Sequence, residues 1–341
     1  MRGPLITVLI DTYNYGQYVE DAVDSVLAQE FPREQLEIVV VDDGSTDDTP
    51  QRLEKYGTSI RYLRKPNGGQ ASAFNFGFEQ SRGEIIALLD ADDVWLPHKL
   101  RRVRETFEQN PAAGMVYHRV HLWDGADKLS EDSYFVAMSG RVTESQADLL
   151  KYAMVATSCL AFRREALEKL MPVPEVLRTQ ADAFLTALII FTAPIVAMPE
   201  FLAKYRIHGS NLFQVNSTGD TSSRIEHRMQ MRAALLAEIR DWLARNGQDP
   251  DAPNLQAYLK QWVKAQEADE FALRSPGRWR YARHLFEYPR IYGENMSFRH
   301  RLFSYLQAVG ALFLGYHHVH LVEDVRMSYK RRFSRPVKNV S

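Results

Sequence analysis

"IIALLDADDVWLP", residues 85–97, runs a string of apolar residues into three acids, Asp90, Asp92 and Asp93. Ile85 to Leu89 reads as a short, fully buried strand. Residues two apart in an extended chain point the same way, so Asp90 and Asp92 project together while Ala91 turns aside. Two oxygen donors at that spacing suit a hard cation such as Mg2+ or Mn2+. The same residues also suit a polar turn closing a strand. The neighbouring sequence has to decide between these readings.

Upstream, strand and helix signals alternate. Leu5–Ile10 is apolar and β-branched, a strand. Tyr18–Leu27 puts Val19, Ala22, Val23 and Val26 on one helical face. Leu36–Val41 is a second strand, closed by "DDGSTDDT", in which Ser45 or Asp47 suits the cap of a helix over Thr49–Tyr56. "SIRYLRK" is a third strand, and "GGQASAFNFGFEQS" opens on glycines and continues as a helix. This alternation predicts an α/β fold with a mostly parallel sheet flanked by helices. Ligands of such sheets bind beyond the carboxyl ends of the strands. The polar clusters fall at those ends, at 11–14, 42–47, 67–70 and 90–93. One site assembled from all four is simpler than four unrelated turns.

Farther along, strands are expected near Gly114–Leu122 and Pro194–Met198. From Ser222 the pattern is helical. "RIEHRMQMRAALLAEIRDWLARNG" has apolar positions at helical spacing and ends at Gly247, a C-cap. Asn254–Leu273 and Phe298–Tyr316 also read as helices.

Composition narrows the class. The 341 residues are 45% hydrophobic and 25% charged, with a formal net charge of −1. That balance offers no global attraction for nucleic acid. A single cysteine, Cys159, rules out a disulfide framework and a four-cysteine zinc site. The N-terminus turns polar after Ile10, too soon for a signal peptide. The apolar stretch at 308–316 falls short of the roughly 20 residues a membrane span needs. A cytoplasmic protein, at most peripheral at a membrane, is expected. Arg326, Lys330, Arg331, Arg332, Arg335 and Lys338 form an acid-free tail, either a solvated end or a contact with anionic lipid.

Four segments then occur in order: "DTYNYGQYVEDAVDSVLAQ", "EIVVVDDGSTDDT", "NGGQASAFNFGFEQSRGEIIALLDADD" and "YRIHGSN". Together they resemble the GT-A glycosyltransferases of family 2. The first three cover residues 5–93 almost continuously, and the last covers 205–211. The resemblance implies a Rossmann-like GT-A domain over 1–215, with a nucleotide-binding half at 1–111 and an acceptor half at 112–215. A helical C-terminal region with the basic tail follows at 222–341.

The resemblance also implies roles. Thr12, Tyr13 and Asn14 line the base pocket, and Asp42 and Asp43 accept from the base. Gly68 and Gly69 let the backbone approach the nucleotide, and Asn75 bonds the donor or braces the loop. Asp90, with Ala91 beside it in the donor site, meets the ribose and water on the metal, and Asp92 ligates the metal directly. His208 adds a metal or phosphate contact. Arg206 suits a bidentate phosphate contact or a nearby acid. Asp182, at the head of an apolar helix, is the expected general base, although Ala181 stands where similar enzymes often carry Glu. Asp11 stands where Pro or Val is usual, which adds a negative charge that the resemblance does not explain. "TSCLAFRREAL", residues 157–167, resembles the wall of the sugar and acceptor pockets, with Cys159 as a small buried hydrophobe. The Gln-x-x-Arg-Trp element of processive synthases has no match, since "SPGRWR" carries Ser275 in place of Gln.

The implied activity is inverting and dependent on Mn2+ or Mg2+. It moves one sugar from a nucleotide-sugar donor, UDP-linked by preference, to a glycan or lipid-linked acceptor in cell-surface polysaccharide or glycolipid synthesis. Two other readings stand beside it. A catalytically inactive sugar-nucleotide-binding protein is compatible with Ala181. A nucleotidyltransferase needs a cationic phosphate site, for which the early loops offer only Arg64 and Lys65.

Overall fold

The computed structural model describes residues 5–125, 129–131, 139–140, 155–208 and 222–253, with isolated positions between 255 and 309. The chain divides into two compact units, Met1–Gln214 with Met231–Lys260, and Val215–Gln230 with Gln261–Ser341. The first unit carries the sheet. The helices expected over Asn254–Leu273 and Phe298–Tyr316, and the basic tail, lie almost wholly outside the described residues.

β1 (Ile6–Thr12), β2 (Leu36–Asp42), β3 (Arg61–Arg64) and β4 (Ile85–Asp90) form the N-terminal half of the sheet. Their pairings with one another are parallel, in the order β3-β2-β1-β4. Strands of this kind are covered on both faces, which is why β1 and β4 read as nearly continuous apolar runs. Ile6, Val8 and Ile10 pack into the core with Val19, Ala22, Val23 and Val26 of α1 (Gly16–Leu27). This is the helical face expected from spacing. Each such valine contributes about 1.5 kcal/mol or more by leaving water. On the other face α3 (Gln70–Gln80) lies so close that a Cβ on Gly77 would sit 2.2 Å from Leu9 Cδ1. Between these helices, α2 (Thr49–Glu54) follows the β2 loop. Neither cap considered holds the N-cap position, which falls to Asp48 without a side-chain capping bond; Asp47 braces the turn before the helix, its Oδ1 accepting from Thr49 N–H at 3.0 Å.

The second half of the sheet is mixed. β5 (Val94–Trp95) follows the acidic turn, and α4 (Lys99–Gln109) leads to β6 (Met115–Trp123), which pairs with β7 (Leu129–Glu131). β8 (Leu160–Arg163) runs antiparallel to both β4 and β6, followed by α5 (Arg164–Leu167) and α6 (Ala181–Thr192). β9 (Ile195–Arg206) is parallel to β6 and antiparallel to β5.

β9 extends well beyond the expected end at Met198. Pro199 lacks an N–H and ends most ladders. Here the register jumps from His118↔Met198 to Arg119↔Phe201, so a β-bulge absorbs the proline and pairing resumes. β5 and β8 are two- and four-residue strands, too short for a period to register. Finally, α7 (Ser222–Arg245) ends as expected at Gly247, which takes φ +75° while Gln248 N–H reaches Leu243 O at 2.9 Å.

Candidate active site

The strand ends gather the acids. Asp11 and Asp90 are register partners on β1 and β4, so their side chains leave the same face side by side. Asp90, Asp92 and Asp93 each bring a carboxylate oxygen within 4.8 Å of the others. The three are not equivalent. Asp93 is wholly buried and committed: its Oδ2 accepts from Ser158 Oγ at 2.6 Å and its Oδ1 from Arg206 N–H at 2.8 Å. It anchors the turn. That leaves Asp90 and Asp92 as the carboxylates suited to a cation, with His208 Nε2 2.9 Å from Asp92 Oδ2. The His208 ring stacks on Tyr18 at 4.8 Å and meets the edge of Tyr15 at 5.9 Å. Burial, then repulsion from Asp11, Asp92, Asp93 and Asp182, holds the Asp90 carboxyl well above the usual carboxylate range. Hard oxygen donors that repel one another in a buried setting fit a divalent cation.

Arg206 takes the acid partner rather than presenting a free fork. Its Nε donates to Asp92 O at 2.8 Å and its Nη2 to Asp21 at 2.6 Å. The guanidinium lies between the rings of Trp123 and Tyr18, 4.2 and 4.8 Å from their centroids. β5 explains how residues so distant in sequence meet: its pairing with Ala203 and Lys204 draws the end of β9 against the turn.

Behind the turn, Ser158 joins several groups. Its Oγ accepts from Asp90 N–H at 3.1 Å, and its carbonyl accepts from Trp95 Nε1 at 3.0 Å and Lys99 Nζ at 2.6 Å. Lys99 is fully buried 3.5 Å from the Trp95 ring centroid, and burial pulls its pKa well below the usual value. Sequence reasoning gave Lys99 no role and Ser158 only a place in the pocket wall. The signal for Lys99 was present: it lies four residues before Val103 and eight before Phe107, on the buried stripe of α4. Cys159, beside Ser158, is buried as expected.

The groups expected at the base form a second knot. Asp42 is sealed, its Oδ1 accepting from Ser45 N–H at 2.7 Å and its Oδ2 from Tyr62 Oη at 2.6 Å. Asp43 accepts from Lys65 Nζ at 2.7 Å and from the N–H groups of Gly68 at 2.9 Å and Gly69 at 2.6 Å. Arg64 donates to Ser45 O at 2.6 Å. Both cations that a nucleotidyltransferase reading relied on are therefore engaged. Asn14, at φ +57°, accepts from Thr46 N–H at 2.7 Å and joins the first loop to the second. Tyr13 beside it is exposed, and Thr12 is buried with its hydroxyl sealed and unpaired. Ala91 is buried between the two aspartates.

Gly69 takes φ +89°, and a Cβ there would fall 2.6 Å from Arg178 Cα. The segment Val173–Arg178 crosses this loop. Gln70 N–H donates to Arg178 O at 2.8 Å, and Arg178 also bonds Asn67. Asn75 takes the bracing role, giving and receiving a bond with the Val173 backbone, each 2.8 Å.

Asp182 lies in the first turn of α6. Its Oδ2 accepts from Thr157 Oγ1 at 3.0 Å and its Oδ1 from Ala183 N–H at 2.8 Å. Burial raises its pKa. Its charge acts on both Asp11 and Asp90, so the structure brings the expected base to the acidic cluster. Ala181 before it is fully buried, its N–H held by Gln70 Oε1 at 3.0 Å.

This fold and acid-lined site define a GT-A glycosyltransferase, and the comparisons with known proteins agree. The family model for glycosyl transferase family 2 matches residues 7–171. An uncharacterized glycosyltransferase of Nostoc sp. is 37% identical over 253 residues, 71% of this chain and 76% of the relative. The chain belongs to glycosyltransferase family 2. Among solved structures, Staphylococcus aureus TarS 1–349 in complex with UDP aligns with TM-score 0.58 at 17% identity, over 95% of this chain and 91% of that one. A mannosyltransferase of Pyrobaculum calidifontis in complex with GDP-Man and Mn2+ aligns with TM-score 0.53 at 19% identity, over 97% and 87%. At such identities the likeness concerns the fold. No described helix is long and apolar enough to cross a membrane.

Proposed function

We propose that this transferase moves one sugar from a nucleotide donor, UDP-linked by preference, to a glycan or lipid-linked hydroxyl with inversion, using Mn2+ or Mg2+. The observation that carries the reading is the gathering of the Asp90 and Asp92 carboxylates within 4.8 Å at the end of β4, with Asp182 near enough for its charge to act on Asp90. Asp92 and His208, with Asp90 beside them, would hold the cation. When bound, it supplies charge compensation for the diphosphate leaving group. Asp182 takes the proton from the acceptor hydroxyl. Its raised pKa brings it nearer the working pH, where a general base is most effective, and Thr157 and Ala183 N–H fix its orientation. Asp43, Gly68 and Gly69 face the nucleotide. On binding, the donor exchanges with contacts that these groups now make to one another. The basic tail adds a peripheral contact with the anionic face of the membrane carrying the acceptor.

Thermal unfolding with UDP, GDP, dTDP and CDP, each with and without Mn2+, tests the donor site. A ligand bound by the native state alone raises stability by RT ln(1 + [L]/Kd). The expected result is a shift with UDP that requires Mn2+. A metal-dependent shift with another nucleotide replaces the donor, and no shift with any of them overturns the reading.

A further inference from the structure

Asp11 is the acid for which neither the resemblance nor the mechanism above has a use. It ends β1 beside Asp90, on the same face of the sheet. Its Oδ1 is sealed from solvent and has no hydrogen-bond partner. The carboxylate's main compensation is its own backbone N–H, and Asp92, Asp182 and Asp43 all bear on it as like charges. A buried acceptor without a donor is costly, and this one faces the place where a cation is wanted. A carboxyl with one oxygen sealed and unpartnered among like charges destabilises the metal-free chain and calls for a positive partner.

The distances specify how that partner is reached. The ligand atoms lying within 4.8 Å of one another belong to Asp90, Asp92 and Asp93, and Asp11 is outside that group. A divalent ion of this type keeps part of its water shell, and acceptors for that water tune affinity nearly as much as the ligands do. We infer that Asp11 is a further cation-holding residue of this site, acting through its charge and by accepting from water on the ion rather than by direct ligation. The inference rests on the metal-dependent reading above. It gives the chain a carboxylate at the end of β1 that strengthens cation binding before any donor arrives.

The test uses the full-length chain freed of metal with EDTA and titrated with Mn2+ alone, free Mn2+ being read from its paramagnetic resonance signal. Wild type, Asp11→Asn, Asp11→Val and Asp92→Asn are compared, with the unfolding midpoint of each metal-free protein. The expected result is Mn2+ binding weakened about 10-fold by either Asp11 substitution, with metal-free midpoints at or above wild type. Two substitutions of different shape separate loss of charge from misfit. Binding within two-fold of wild type in both overturns the inference while leaving the parent reading intact. A metal-free midpoint lowered in both overturns it too, because Asp11 would then be making a stabilising contact. Wild type that binds no Mn2+ overturns both readings together.

Discussion

At the scale of single residues, Asp92 and Asp182 separate by the step each serves. Asp92→Asn would remove a carboxylate proposed to hold the cation that compensates the departing diphosphate, and losing such a pre-placed charge costs about 10^2-fold or more in turnover. Its Mn2+-dependent UDP binding should fall in parallel. Asp182→Asn would remove the proposed proton acceptor and none of the proposed ligands of the cation, so transfer, read as UDP released with a glycan acceptor, should drop while Mn2+-dependent UDP binding is retained. Normal transfer by Asp182→Asn would place the base elsewhere. Asp92 stood out in the sequence at a strand end, and the family resemblance gave it and Asp182, at a helix start, their expected roles. Ser158 and Arg206 show what local pattern withholds. Ser158 acts through both its carbonyl and its hydroxyl, on Lys99 and Trp95 on one side and on Asp90 and Asp93 on the other. Arg206 read equally well as a phosphate clamp. Its partner Asp21 lies 185 residues away, a separation no local reading bridges.

At the scale of elements, the loop between β3 and α3 is shaped by what crosses it. Gly69 is tied to that loop by its positive φ and by the Arg178 backbone pressing on it. Gly57 has φ +48° with nothing within 4 Å of a built Cβ. Gly57→Ala should therefore cost only the conformational term, about 1 kcal/mol. Gly69→Ala should cost clearly more in urea unfolding and should also weaken UDP binding, because Gly69 N–H holds Asp43. Equal costs at the two sites would show that the Val173–Arg178 segment yields freely. β1, β2 and β4 were legible because each is an apolar run closed by a polar loop. β9 was half legible: Pro199 signalled an end, and only the bulge opposite His118 and Arg119 lets pairing continue. β8, with four residues, carries no period to read.

At the scale of the whole molecule, charge is distributed unevenly although the chain is close to neutral. The acids converge at one end of the sheet, whereas residues 326–338 are basic without an acid. Each basic residue near an anionic surface contributes about 1 kcal/mol to attachment. Deleting residues 326–341 should sharply reduce sedimentation with vesicles containing phosphatidylserine and leave UDP binding unchanged. Equal sedimentation of the two proteins would remove the tail from the membrane reading.

The tether of Arg206 and His208 to Asp92 also bears on where this enzyme can be divided. The family match stops at residue 171. A recombinant fragment cut there would keep every aspartate from Asp11 to Asp93. It would lose β9, the strand that seats β5, and with it the guanidinium that closes on the Asp92 carbonyl. The end of the family match is therefore not a place at which the protein can be cut: the pieces that close on the acidic turn, at residues 203–208, lie beyond it.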